Sequence, residues 1–411
     1  MNAAIISSGS ELVTGELVDT NSAFLAEQLT ALGLHVQCTL TVGDDRQQLA
    51  WAVSQAAEKA QLVVITGGLG PTADDLTRFV LAEAANVQLI ERQNLLEQID
   101  AFFRKRSRQM NVLNRIQAHI PQNAEGLENR WGTAPGIKIA IGSATVFALP
   151  GVPREMKEMF VTYVKPWISN HTIAPTHRIR LHCLGMGESD VVLAIDPILQ
   201  QLTQNGIDFG TRAHEGIISL KLAGPDQQAI LDFSQQIKAQ LGTVVFGEAN
   251  DTLESVVGQQ LRHRRQTLAV AESCTGGYVA KLITDVPGSS EYFLGGWIAY
   301  ANSFKQRHLA VPPEILETHG AVSRECCAAM LKNLLAQSQA DWGIAITGIA
   351  GPADGSPEKP VGLVWIAVGN AANQQIKEHR FGDVGREAVR FRAAIAALNT
   401  LRLMLAKSPP Q

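Results

Sequence analysis

The chain is short of cysteine, and what it has is unpatterned: Cys38, Cys183, Cys274, Cys326 and Cys327 are scattered, odd in number and without CxxC spacing. That excludes a disulfide framework and a cysteine-based zinc site, and it fits a reducing compartment. Adjacent Cys326 and Cys327 fall in a helical pattern and read as packing residues. Apolar stretches long enough to span a bilayer are missing too. The run Asn2–Ser7 is short, strand-like and lacks a cationic lead, so the expectation is a soluble cytoplasmic protein. Charge of one sign is not in excess either. A formal net charge of −4 provides no general attraction to nucleic acid or to an anionic membrane. The basic runs Arg104–Arg108 and Arg262–Arg265 lie in polar, helical-looking stretches and read as solvated helix faces rather than a DNA footprint.

What is present is enough apolar sequence for real cores. The 411 residues are 45% hydrophobic and 18% charged, which suggests two to three folded domains. Residues 1–170 alternate strand and helix patterns: strand Ala3–Ser7, helix Asn21–Leu32, strand His35–Thr41, helix Gln47–Lys59 and the continuously apolar strand Leu62–Thr66. Such runs belong in a parallel sheet with helices on both faces. Ligands then bind at the carboxyl ends of the strands. Gly9–Glu16, Val18–Asn21, Gly43–Asp45 and Thr66–Asp75 fall there.

The segment Thr66–Asp75, TGGLGPTADD, is the most informative of these. Gly67, Gly68 and Gly70 let backbone amides wrap phosphate oxygens, and Thr72, Asp74 and Asp75 open a helix. No GK[ST] follows, and the turn is not GxGxxG, so neither a Walker loop nor a dinucleotide fingerprint is present. Paired carboxylates beside a phosphate loop suit a divalent ion held against a diphosphate; they also simply favour a helix N-terminus. Arg130–Gly136 and Leu149–Met156 join Gly and Pro to element ends, as ligand-closing loops or plain turns do.

Ser169–His177 is polar and reads as a linker. Residues 171–250 then give strand, helix, strand, strand, helix, strand, the order of a ferredoxin-like or KH-like module, with no concentrated chemistry. In residues 251–411 the stretch Ala271–Gly277, AESCTGG, follows the apolar run Thr267–Ala271 and precedes a helix starting near Tyr278. Ser273 and Thr275 are natural N-caps, and Gly276 and Gly277 permit close approach to the backbone, so strand, turn and helix start form a candidate anion site or an ordinary capped turn. Pro287–Lys305 concentrates hydroxyls, glycines, aromatics and one lysine. Strand-then-glycine logic repeats at Ile344–Pro352, a strand follows at Lys359–Val368, and Ala388–Leu405 closes the chain as a helix.

These segments resemble the competence/damage-inducible CinA family end to end. The carboxyl-terminal match rests on AESCTGG, PGSS, GGWIAYAN with Lys305, GAVS at Gly320–Ser323, TGIAGP and KPVG; the amino-terminal match rests on SGSELVTGELVDTN and TGGLGPTADDLTR. The resemblance implies a nicotinamide-nucleotide amidohydrolase, converting nicotinamide mononucleotide to nicotinate mononucleotide and ammonia with a Ser/Lys pair and no metal. It implies a three-layer molybdopterin-binding-like domain ahead of it, associated with metal-dependent ADP-ribose pyrophosphatase activity, and a homodimer. Ala301 stands where many relatives have serine, and Asp354 where they often have a second glycine.

On this resemblance, Ser273 and Ser290 are the candidate nucleophiles, Ser289 a weaker one, Lys305 the base and Tyr300 a proton relay or orienting group. Glu272, Thr275, Gly276, Gly277, Asn302, Thr347 and Gly348 are assigned to substrate. A free lysine titrates near about 10.4 and must fall toward roughly 7–8 to act as a base; burial among Trp297, Tyr300 and Phe304 is the expected cause. In the amino-terminal half, Gly67, Gly68, Gly70, Thr72 and Asn114 are assigned to ADP-ribose, with Glu155 a further contact. Glu16, Asp19, Asp74 and Asp75 are assigned to Mg2+ or a similar ion. Alternatives are a non-catalytic ligand-binding amino-terminal half, or a non-enzymatic partner in DNA uptake or repair, against which the acidic balance weighs.

Overall fold

The computed structural model describes residues 1–171, 177–353 and 355–407. Most of the expected linker Ser169–His177, and Asp354, lie outside the described residues. The chain forms two compact units, Met1–Arg178 with Gly224–Asp226, and Ile179–Ala223 with Gln227–Gln411.

In the first unit a six-stranded sheet runs, edge to edge, His35–Val42, Asn2–Ser8, Leu62–Thr66, Ala144–Leu149, Gly136–Ile141 and Glu125–Leu127. The first four are parallel and the last two pairings antiparallel. Leu62–Thr66 is buried at every position, as a central parallel strand covered on both faces must be. Val63 and Ile65 face the core shared with helix Arg46–Lys59, whereas Leu62 and Val64 face helix Thr20–Ala31. The result is the expected α/β/α sandwich. Both helices carry aspartate caps: Asp19 accepts from Ser22 N and Asp45 from Gln48 N, each at 2.8 Å.

The second unit contains two sheets. The smaller is ordered Asp208–His214, Ile217–Gly224, His177–Leu184, Val245–Glu248. That is the ferredoxin-like order of the two left open by the sequence. Its first helix is broken into Glu188–Ala194 and Asp196–Gln204. Pro197 lacks the N–H a continuous helix would need there and instead opens the second piece.

The larger sheet is ordered Phe293–Ile298, Leu268–Glu272, Trp342–Gly348, Leu363–Gly369, Gln374–Arg380. Its faces differ in side-chain size. Leu268, Val270, Ile344, Ile346, Val364 and Ile366 face the helices Leu253–Arg264, Tyr278–Thr284 and Arg386–Lys407. Ala269, Ala271, Ala345 and Ala367 face helix Arg324–Ser338. Small residues let that helix approach closely: a Cβ on Gly343 would stand 2.7 Å from Leu331 Cδ1. The closing helix, Arg386–Lys407, starts two residues before the expected position. The basic run Arg104–Arg108 is not a helix face: helix Gln93–Arg104 ends at its first residue, and Ser107 takes a left-handed φ of 55°.

Candidate active site

The segment AESCTGG ends the buried strand Leu268–Glu272, second in the larger sheet, and its local structure departs from a hydroxyl-capped anion site. The N-cap of helix Tyr278–Thr284 is Gly277, at φ 93°, with no side-chain cap of its own. The capping is done by Glu272. Its fully buried carboxylate accepts from the backbone N–H of Gly277 at 3.0 Å, Val279 at 3.2 Å and Ala280 at 2.8 Å. An internal carboxylate thus occupies the positively polarised helix start that the sequence offers as a candidate anion site. Gly276 N donates to Ser273 O. The amides of Gly276 and Gly277, part of the candidate anion site, are therefore engaged within the turn. Glu272, Thr275, Gly276 and Gly277 do not line the adjacent cavity; they build the turn that presents Ser273.

With its neighbours fixed, Ser273 points to the lysine. Lys305 is 1% exposed, and its Nζ donates to Ser273 Oγ at 3.0 Å and to the carbonyl oxygen of Tyr300 at 3.0 Å. No carboxylate pairs with the amine among the described residues. Burial lowers the Lys305 pKa from the ordinary lysine value, with the Cys326 and Cys274 thiols acting weakly in the opposite sense. Burial also pushes the Cys274 thiol up to about 12, so it is a packing thiol beside the dyad rather than a nucleophile.

The source of that burial differs from the expected one. Tyr300 and Phe304 are 58% and 42% exposed, and Phe304 leans on His308 at 4.0 Å between ring centroids. The amine is enclosed instead by the Cys274 turn and by helix Arg324–Ser338, on which Cys326 is fully buried. Tyr300 orients the lysine through its backbone carbonyl, while its hydroxyl accepts from Arg386 at 2.8 Å. Ser290 is exposed in the short turn Ser289–Glu291 and takes no part in the dyad.

Ser273 and Lys305 open on a cavity of about 300 Å³ whose walls include Tyr300, Asn302, Thr347 and Arg386, together with the segment Gly348–Gly351. Thr347 donates to Ala321 O at 2.8 Å, fixing the GAVS turn, whose Ser323 caps helix Arg324–Ser338 by accepting from Cys326 N. Arg386 is the residue the sequence reading missed. Its guanidinium donates to Gly351 O and to the Tyr300 hydroxyl, both at 2.8 Å, at the cavity rim. A signal existed: an arginine as the first residue of a long helix works against the macrodipole and needs another reason to be there. Arg390, one turn on, donates twice to Thr275 O and ties the nucleophile turn to the same helix.

In the first unit the predicted carboxyl-end cleft is present, about 450 Å³, formed by Gly67–Pro71, Asp74 and Asp75 with Ser8, Glu11, Asp44, Gln117 and Glu155 among its walls. Three amides of its glycine loop, however, are engaged internally. Gly67 N donates to Leu149 O. Gly70 N and Thr72 N donate to the Asp75 carboxylate at 2.7 and 2.8 Å, and the Thr72 hydroxyl joins them. Asp75 thus fills the amide nest that the sequence suggested for phosphate. Gly68 is held in place by Thr77, whose N donates to its carbonyl. Buried Arg78 clamps the loop from beneath, donating to Leu69 O and Gly70 O, and desolvation lowers its pKa to about 10.

The four expected metal residues are not brought together. Glu16 is exposed and accepts from the Thr14 hydroxyl, and Asp19 caps its helix; Asp74 and Asp75 line the cleft, Asp74 exposed and Asp75 engaged by the loop amides. Among the described residues no three His, Cys, Asp or Glu side chains cluster as a metal set. Asn114 does not line the cleft and donates instead to Gln117, which does.

Fold and sites define a chain that joins a molybdopterin-binding-type α/β unit to a second α/β unit holding a buried serine–lysine pair. Residues 4–170 match the family described as probable molybdopterin binding domain, and residues 250–405 match the CinA C-terminal domain. A CinA-like protein of Synechococcus sp. (strain RCC307) is 43% identical, covering 98% of each chain, and a putative competence-damage inducible protein of Halothermothrix orenii is 40% identical, covering 90% of each. The chain belongs to the CinA family. Among solved structures, the competence/damage inducible protein CihA of Agrobacterium tumefaciens is 38% identical, covering 38% of this chain and 94% of that one with a TM-score of 0.37. No helix among the described residues is long and apolar enough to cross a membrane.

Proposed function

We propose that the second unit is a serine/lysine amidohydrolase whose substrate is nicotinamide mononucleotide, giving nicotinate mononucleotide and ammonia. The observation that carries this reading is the buried Lys305 amine, unpaired with any acid among the described residues and 3.0 Å from the Ser273 hydroxyl. A neutral amine there takes the Ser273 proton as Oγ attacks the carboxamide carbon. The resulting ammonium returns that proton to the departing nitrogen as the C–N bond breaks, leaving an ester on Ser273 and free ammonia. Water then attacks the ester with Lys305 again accepting a proton, and nicotinate mononucleotide leaves as Ser273 regains its own. A cationic pyridinium close by disfavours the ammonium further. The guanidinium of Arg386 at the rim matches a substrate phosphate.

The activity should rise with pH and then level off. Only the deprotonated lysine is a base, and its pKa is lowered by burial. The kcat/KM profile for ammonia release therefore inflects below the usual lysine range of about 10.4. A profile still rising with an inflection at or above the usual lysine value of about 10.4 would remove a buried Lys305 from the role of base.

For the first unit we propose that the cleft takes ADP-ribose together with a divalent cation and releases AMP and ribose 5-phosphate. The supporting observation is electrostatic. Asp74, Glu11, Asp44 and Glu155 face a cleft whose glycine-loop amides at Gly67, Gly70 and Thr72 are already engaged, so a diphosphate enters only with its charge neutralised. Mg2+ needs just one or two carboxylates besides phosphate and water; Asp74 and Glu11, both exposed on the cleft, can supply them. Bound there, the ion would polarise a phosphoryl oxygen. Purified protein given both substrates should lose ADP-ribose cleavage in EDTA and keep its ammonia release unchanged. Equal sensitivity of the two would overturn the division, and absence of AMP even with metal would leave the first unit as a binding module.

A further inference from the structure

The second unit holds another cavity, about 500 Å³, that shares no lining residue with the Ser273–Lys305 cavity. One wall is the open face of the ferredoxin-like sheet. On strand Ile217–Gly224 the side chains of Ile218, Leu220 and Leu222 are buried against the module's own core. Alternation therefore turns Ile217, Ser219 and Lys221 to the opposite face, where they line the cavity. Arg180 and His182 from the neighbouring strand and Arg212 from the edge strand line it beside them. His182 is fixed by Ser219 Oγ at 2.9 Å and stacked on Phe246 with the rings 5.8 Å apart.

The facing wall is apolar and comes from the larger sheet's helices: Leu253, Leu282, Phe391 and Ile395. The permanent charges are three cations, Arg180, Arg212 and Lys221, against Asp251 and Glu254. The cations outnumber these acids by one, and both acids are partly offset by the backbone. The Asp251 carboxylate accepts from Glu248 N at 3.0 Å, and Glu254 lies in the first turn of helix Leu253–Arg264, whose dipole offsets it. A cationic wall facing an apolar, partly aromatic one, in a volume within the roughly 300–1,000 Å³ range of small-molecule sites, suits a ligand with an anionic group at one end and a flat apolar body at the other.

We propose that this cavity is a binding site for a nucleoside monophosphate, with phosphate toward Arg212 and Lys221 and the base against Phe391 and Ile395. Gly210 on the edge strand lines the cavity, and a Cβ there would meet nothing within 4 Å. A large side chain at this position therefore fills the ligand's space without a clash at its root. The test is calorimetric titration of the full chain with AMP. Wild type and Ser273→Ala should bind alike, which separates this site from the catalytic cavity. Gly210→Phe and the double variant Arg212→Ala/Lys221→Ala should each weaken AMP at least 10-fold with melting temperature unchanged, and adenosine should bind at least 10-fold more weakly than AMP. The double variant keeps the test open if Gly210→Phe fails to fold. Absence of AMP binding to wild type, or AMP affinity unchanged in the cavity variants, overturns the proposal.

Discussion

Replacing Lys305 by methionine should lower ammonia release from nicotinamide mononucleotide by at least about 10³-fold, the scale of a lost general base acting in a dyad, and leave the protein folded. Activity depends on Lys305 because, among the described residues, the Ser273 hydroxyl has no other hydrogen-bonded base: its partner is Lys305 Nζ. Stability depends on it much less. The amine is 1% exposed and unpaired with any acid among the described residues, so its charged form is disfavoured inside the protein. Methionine fills similar space with no charge to desolvate, although it leaves Tyr300 O and Ser273 Oγ without this donor. These effects oppose one another and should net to within about 1 kcal/mol.

The pH dependence of stability distinguishes the two proteins further. The folded-state pKa of Lys305 lies below its unfolded value. Between those two values the unfolded chain binds the extra proton, so wild-type stability rises with pH across that window and falls as pH drops through the folded pKa. Lys305→Met should lack this slope. Ser273→Ala should lose the same activity, and the double variant little more, since the pair works as one unit. Retained turnover in either single variant would end the dyad mechanism.

The second large effect is expected at Glu272, and it is mainly structural. Its carboxylate receives three backbone N–H groups at the start of helix Tyr278–Thr284, seven residues long. So short a helix has no independent stability, and each hydrogen bond to a charged acceptor is worth about 1.5–3 kcal/mol. Removing the acceptor leaves three donors unpaired in a buried turn; with relaxation and non-additivity, Glu272→Ala should cost on the order of 3–5 kcal/mol in urea denaturation. Glu272→Gln keeps the shape and one acceptor oxygen and should recover about half of that. Because Ser273 is the next residue, both variants should also lose amidase turnover, in step with their loss of stability. A Glu272→Ala protein as stable as wild type would show that the cap carries no weight.

These two residues mark the reach of sequence reading. The dyad was half legible: Lys305 stood out by its place after the YAN segment and by the family resemblance, but Ser273 and Ser290 could not be ranked. The choice depends on a contact across 32 residues of chain, made when the Leu268–Glu272 strand and helix Asn302–Leu309 come together. Glu272 is assigned to substrate on the family resemblance alone. Its burial and its three amide partners are properties of the folded turn. Asp75 repeats the lesson in the first unit, where an acid that composition offers to a metal is already bound by its own loop.

The sequence by itself determined the elements, the α/β class and the ends of the strands where ligands belong, because hydrophobic period, glycine turns and caps are local and act within a few residues. Only the tertiary structure decided which polar groups remain available. It joined Arg386 to the Tyr300 hydroxyl across 86 residues, buried the Lys305 amine beneath helix Arg324–Ser338, and set an open sheet face against Phe391 and Ile395 to make a cavity no local motif announces. Hydrogen-bond satisfaction and desolvation depend on every neighbour in space, and spacing along the chain does not contain that information.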